Sequence, residues 1–144
     1  MTTAPLPASH FTEAQRERAR ALVAPQQAPL ASSESGDPVW PLVMADCQAM
    51  GPALVLDMVL ADMWARDEMG ALKYNTPLCL NNGRDHLRDL YQEELDAAVY
   101  TKAAILDPRY QRFAGKLGQL YFRKLDTLRE IRLMIAAHDG EIPR

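Results

Sequence analysis

Asp89, Glu93 and Asp96 follow one another at spacings of four and three residues. At about 100° per residue on a helix they fall within about 60° of one another, on a stripe that also holds Tyr100. Carboxylates this close repel. The repulsion is relieved by solvent, by cations on a neighbouring helix, or by a divalent metal ion that takes hard oxygen ligands. A solvated acidic face is the ordinary outcome on a helix. Upstream, Asp57, Ala61, Trp64 and Glu68 recur at helical spacing within PALVLDMVLADMWARDEMG, which is apolar nearly all round. Either this stripe is the wet side of its helix, or its charges are paired or metal-bound, because an unpaired buried carboxylate is costly.

Between the two acidic sets runs GALKYNTPLCLNNGRD, which supplies two cations, Lys73 and Arg84, and one loop aromatic, Tyr74. Cations of this kind hold phosphate oxygens, and a tyrosine ring can stack on a nucleobase. Each also has an ordinary structural role. Lys73 can be solvated, Arg84 can pair with Asp85 or Asp89, and Asn82-Gly83 can serve the turn and the helix cap alone.

The string Gly70-x-x-Lys73-Tyr74, the Thr76-Pro77-Leu78 turn, Asn82-Gly83-Arg84-Asp85, and Glu93-x-x-Asp96 followed by Val99-Tyr100 carry a resemblance. Together they resemble small phage-type members of the MazG-like, all-α nucleoside triphosphate pyrophosphohydrolases, over residues 62–106. The resemblance implies an α-helical, oligomeric enzyme that hydrolyses a (deoxy)nucleoside triphosphate to the monophosphate and pyrophosphate, with Mg²⁺ or Mn²⁺ held by helix-borne carboxylates. Glu93 and Asp96 match the Glu-x-x-Asp half of the family's pattern. The Glu-x-x-Glu half is replaced here by Asp67 and Glu68, with Ala71 where a second glutamate would stand. On this reading Glu93 and Asp96 are metal ligands, and Asp89 or Glu68 is a further ligand or the base that orients the attacking water. Lys73, Tyr74, Asn82 and Arg84 form the substrate-binding set. Phosphoanhydride hydrolysis needs chiefly positioning and charge neutralisation, which these residue types provide. The alternative is a helical binding or regulatory protein that kept the scaffold without the activity.

These residues need helices to position them. Residues 53–69 read as a buried helix stopped by Gly70, and 70–84 as a structured connection rich in Pro, Gly and Asn. Residues 85–106 put Leu87, Tyr91, Leu95, Ala98 and Ile105 on one side, with Asn82 or Asp85 as cap. Asp107-Pro108 starts a third long helix, running to about Ala137, in which Gly115 and Gly118 mark a bend or admit a close neighbour. That helix carries seven basic residues, from Arg109 to Arg132, against Asp126 and Glu130. It can neutralise the acidic helix, bind triphosphate or touch nucleic-acid backbone. A short helix is expected near 42–50.

With 144 residues, 48% of them apolar, the chain suits one core of ordinary size. Six of its ten prolines fall within the first 41 residues, so 1–41 reads as an N-terminal arm, partly disordered, with a short helix at 12–24 that frays unless it docks. The helical domain is then 42–138. No stretch alternates with period two. The expected fold is all-α: a small bundle of three long helices plus short N-terminal ones, completed by assembly into a dimer or tetramer.

A net charge of −3 gives no global field toward nucleic acid or anionic membrane, and the longest apolar runs are far too short to span a bilayer. Nucleic acid and membrane are therefore disfavoured as partners. Cys47 and Cys79 lack metal-ligand spacing, and the three histidines share no local cluster. The opening MTTAPLPASH lacks the basic-then-apolar layout of a signal peptide. The expected location is the cytoplasm, that of the host if the gene is a phage's.

Overall fold

The computed structural model describes residues 4–30, 36–51 and 53–143. The serine-rich part of the arm at 31–35, and Pro52 ahead of the first long helix, lie outside the described residues. Those described form five α-helices and no strand: α1 (Glu13–Val23), α2 (Trp40–Ala49), α3 (Leu54–Tyr74), α4 (His86–Leu106) and α5 (Ala114–His138). The all-α expectation holds. The chain divides into two compact units, one of residues 1–25 with 85–144, the other of residues 26–84.

The first unit is built on an antiparallel pair, α4 and α5. Lys102 lies over the Tyr121 ring, Lys124 reaches Glu94, and Leu87 packs with Ile135, so residue numbers fall along one helix as they rise along the other. Asp85 starts α4 by accepting from the backbone N–H groups of Leu87 and Arg88, both at 3.1 Å. Asp107 with Pro108 does start a helical segment, but Pro108–Phe113 is a 3₁₀ turn, and α5 begins only at Ala114. The six-residue turn PRYQRF connects the two long helices. A Cβ built at Gly115 or Gly118 meets nothing within 4 Å, so neither glycine admits a close neighbour.

Onto this pair docks α1. Its Thr12 and Gln15 form a reciprocal capping box, with bonds of 2.9 and 3.1 Å. Leu22 is buried with Ile131 and Ile135, and Leu87 and Tyr91 pack against them. Gln92 Nε2 donates to the carbonyls of Leu22 and Ala24, at 3.0 and 3.2 Å, satisfying acceptors that the helix end leaves open. The charged helix of the arm is thus fastened by Leu22, by the Gln92 amide and by the ion pairs of Arg18 with Asp139 and Glu141.

In the second unit α2 packs on α3. Segment 37–39 runs beside 78–80, with Val39 N–H donating to Leu78 O at 2.8 Å and Leu80 N–H to Asp37 O at 3.0 Å. Two sequence expectations are corrected here. Helix α3 does not stop at Gly70 but continues to Tyr74, because the stop requires a left-handed residue, and Asn75 is the one that adopts it, at φ 54°. Nor is α3 buried: no described side chain on it is fully enclosed. One face is half-covered, that of Leu56, Val59, Leu60, Met63, Asp67, Gly70 and Ala71. Val55, Met58, Trp64, Met69 and Leu72 are exposed.

Candidate functional site

The sequence-derived site residues are shared between the two units. Glu68, Lys73, Tyr74, Asn82 and Arg84 belong to the unit of residues 26–84, and Asp89, Glu93 and Asp96 to the other. Glu68 is exposed on α3, as are Asp57, Ala61 and Trp64, so the whole stripe faces solvent. Lys73 and Tyr74 form the last two positions of α3, both exposed, with the ammonium 5.0 Å from the ring centroid.

Asn82 is fully buried. Its Oδ1 accepts from Arg84 N–H at 3.1 Å and its carbonyl accepts from Leu30 N–H at 2.8 Å, so this side chain shapes the turn instead of facing solvent. Its Nδ2 has no hydrogen-bond partner among the described residues. Gly83 follows at φ +80°, where a Cβ would come within 3.1 Å of both Gln27 and Leu30. Both backbone strain and lack of space select glycine there. Arg84 is half-buried and donates from NH1 to Gln27 O at 2.7 Å.

On α4 the acidic stripe resolves residue by residue. Asp89 is half-buried in the first turn. Glu93 and Asp96 are exposed, and neither makes a hydrogen bond or ion pair with a described residue. Their neighbour Glu94 is turned the other way, half-buried toward α5, where Lys124 Nζ lies 3.2 Å from each carboxylate oxygen. This is the ion pair by which α5 neutralises α4. Two other basic groups of α5 engage elsewhere: Arg129 with Asp126 at 3.8 Å, and Arg132 with Glu141 at 2.9 Å.

Among the described residues no group of three or more His, Cys, Asp or Glu side chains is arranged to hold a metal ion. Cys47 and Cys79 are buried free thiols. No helix of the described residues is long and apolar enough to cross a membrane.

Sequence reasoning missed one constellation altogether. Arg18 of α1, Arg132 of α5 and Glu141 beyond α5 meet at the mouth of a cavity of about 550 Å³. Arg18 Nε lies 2.9 Å from Glu141 Oε1, and Arg132 donates to both Glu141 oxygens, at 3.3 and 2.9 Å. Arg132 first, and Arg18 second, hold the Glu141 carboxyl below the usual glutamate range. Arg18 also bonds Asp139, which lies 3.8 Å from Arg88. The separation of 123 residues between Arg18 and Glu141 leaves no local pattern from which to find the pair. Compared with known proteins, the chain matches no family model, no curated protein and no solved structure.

Proposed function

We propose that the protein is a metal-dependent hydrolase that cleaves a (deoxy)nucleoside triphosphate to the monophosphate and pyrophosphate. The observation that carries this reading is the pair Glu93 and Asp96, one helical turn apart, exposed and without a partner among the described residues, while the adjacent Glu94 is consumed by Lys124. Carboxylates that no cation among the described residues neutralises are available to a cation from solution. Their hard oxygens suit Mg²⁺ or Mn²⁺, and Mg²⁺ is commonly held by one or two carboxylates, with waters and substrate phosphates completing the shell. The two carboxylates therefore suit the ion, Glu93 and Asp96 holding it; on this reading Asp89 or Glu68 is the further ligand or water-orienting base that the sequence offers. A bound divalent ion supplies charge neutralisation on the phosphate oxygens.

The chain's own residues would do the rest. Lys73 is exposed to take a phosphate oxygen, and Tyr74 presents a half-exposed ring to a base. Arg84 follows the turn that Asn82 shapes, with its backbone N–H held by Asn82 Oδ1, and on this reading it is the second cation of the substrate-binding set. Assembly into a dimer or tetramer belongs to this reading, supported by the exposed apolar side chains of α3.

A second reading is a non-catalytic helical binding or regulatory protein. It is favoured by the fully buried Asn82 and by the hold of Gln27 O on Arg84, both structural roles. Pyrophosphate release from a panel of dNTPs with Mg²⁺ or Mn²⁺ separates the two. The hydrolase reading expects turnover that Glu93→Gln and Asp96→Asn each abolish; no turnover, and no rise in Tm with nucleotide plus metal, favours the second.

A further inference from the structure

We infer that the cavity bounded by α1, α4 and the end of α5 is a binding site for a small amphipathic carboxylate, and that Glu141 is its built-in stand-in. The inference is independent of the nucleotide reading.

The cavity has the two parts such a ligand needs. Its walls are apolar, formed by Phe11, Ala19, Leu22, Val23 and Leu95, and its volume of about 550 Å³ lies in the range of small-molecule sites. Its charged side is built from two guanidiniums on different helices, Arg18 and Arg132, which both close on Glu141, while the other end of the Arg18 guanidinium is held by Asp139. Planar guanidinium forks recognise carboxylates by paired hydrogen bonds, so the head group that fits this mouth is the one already in it.

Glu141 reaches the mouth through the turn that ends α5. Gly140 adopts φ +75°, Gly140 N–H donates to Ala137 O at 3.4 Å, and Glu141 N–H donates to Ala136 O at 2.8 Å. This doubly bonded reversal, with its left-handed glycine, directs the glutamate back along the helix. The three ion-paired side chains are each about a third exposed, and ion pairs at that exposure are weak, so a competing carboxylate can exchange with Glu141. Beyond Glu141 lies a second cavity of about 620 Å³, lined by Leu128, Leu133, Ala136 and Ile142. Tyr91, Arg132 and Glu141 line both. Glu141 thus stands between the two cavities together with Tyr91 and Arg132.

The occupant is accordingly an apolar body of modest length with a single carboxylate head. Neutral analogues lose the two arginines, and amines meet them with like charge. The ligand must displace Glu141, so its apparent affinity in the native chain is reduced by the fraction of molecules in which the mouth is filled.

The test is titration of the full chain with decanoate at fixed ionic strength, read by backbone amide shifts at Ala19, Leu22 and Leu95, with decanol and decylamine in parallel. We expect decanoate to bind about tenfold more tightly to Glu141→Gln than to the native chain, since the variant no longer fills the mouth with charge. Arg132→Gln should weaken decanoate about tenfold or more, and decanol should be indifferent to both changes. Equal decanoate affinity in Glu141→Gln and the native chain would overturn the inference. So would decanol binding as tightly as decanoate, or shifts absent from those amides. Glu141→Gln preserves size and a hydrogen-bonding end group, so the test stands even if Arg132→Gln unfolds.

Discussion

The ammonium of Lys124 lies 3.2 Å from each carboxylate oxygen of Glu94, joining the middle of α5 to the middle of α4. On a helix, consecutive residues point about 100° apart, so an inward Glu94 obliges Glu93 to face outward, with Asp96 on the same outer side. Two roles follow from one geometric fact. Glu94 holds the fold together, and its neighbours are left for whatever approaches from solvent.

The side chain of Glu94 is 17% exposed and that of Lys124 is 34%, which places the pair between a surface bridge and a buried one. Lys124→Met should lower unfolding stability by about 1–2 kcal/mol, because it leaves a half-buried carboxylate without its counter-charge. Glu93→Gln and Asp96→Asn should each stay within about 0.5 kcal/mol of the native value. Urea unfolding followed by helical circular dichroism measures all three. A large loss at position 93 or 96 would assign those carboxylates to the fold and remove them from the proposed metal site.

Leu22 is 2% exposed, and it is the side chain by which α1 enters the core with Ile131 and Ile135. Leu22→Ala should cost about 2–4 kcal/mol, from the lost transfer energy and the space left behind. The helix of α1 is charged on most faces and has little tendency to persist alone, so it should detach first. Hydrogen exchange at Ala19–Val23 reports this as loss of protection while α4 and α5 stay protected.

Gly115 and Gly118 stand in the first turns of α5 with open space where a Cβ would be. Alanine at either position should stabilise the chain by about 0.5–1 kcal/mol, by restricting the unfolded backbone without a clash in the folded one. Thermal melts of the two variants and their double check the sign. A loss of stability would mean that something approaches these glycines closely in solution, as a second copy of the chain would.

The helices were legible wherever the signal was local. Thr12, Asp85 and Asp107 all act as caps in the structure, and the 3.6-residue stripe of Leu87, Tyr91 and Ala98 does turn inward. The errors came where a local signal was ambiguous or a distant partner decided. Gly70 and Asn75 can both end a helix, and nothing near Gly70 reveals that its backbone stays right-handed while Asn75 turns left. Composition made α3 look enclosed, but its exposure depends on how many neighbours it meets, and α2 covers one stripe only. For the candidate site, spacing put Asp89, Glu93 and Asp96 on one stripe of α4 but said nothing of their burial, which sets half-buried Asp89 apart from the exposed pair, nor of which neighbour α5 would claim. The Arg18, Arg132 and Glu141 cluster draws its members from opposite ends of the chain, beyond the reach of any motif.

That cluster predicts a pH response with a definite sign. Hydrogen bonds from Arg132, and then from Arg18, lower the Glu141 pKa in the folded chain. A carboxylate whose folded pKa lies below its unfolded one contributes stability that is fully present above the unfolded value and is lost as pH falls through the folded value. The tail beyond α5 should therefore remain fastened through the ordinary range of glutamate titration and come free only at lower pH. Titration of the Glu141 side-chain carboxyl carbon by NMR should give a midpoint below that of an exposed glutamate. In Arg132→Gln the midpoint should move back up toward the ordinary value, because the principal donor is gone. An unchanged midpoint in that variant would show that Arg132 does not hold Glu141 in solution, and the plug at the mouth of the cavity would lose its main anchor.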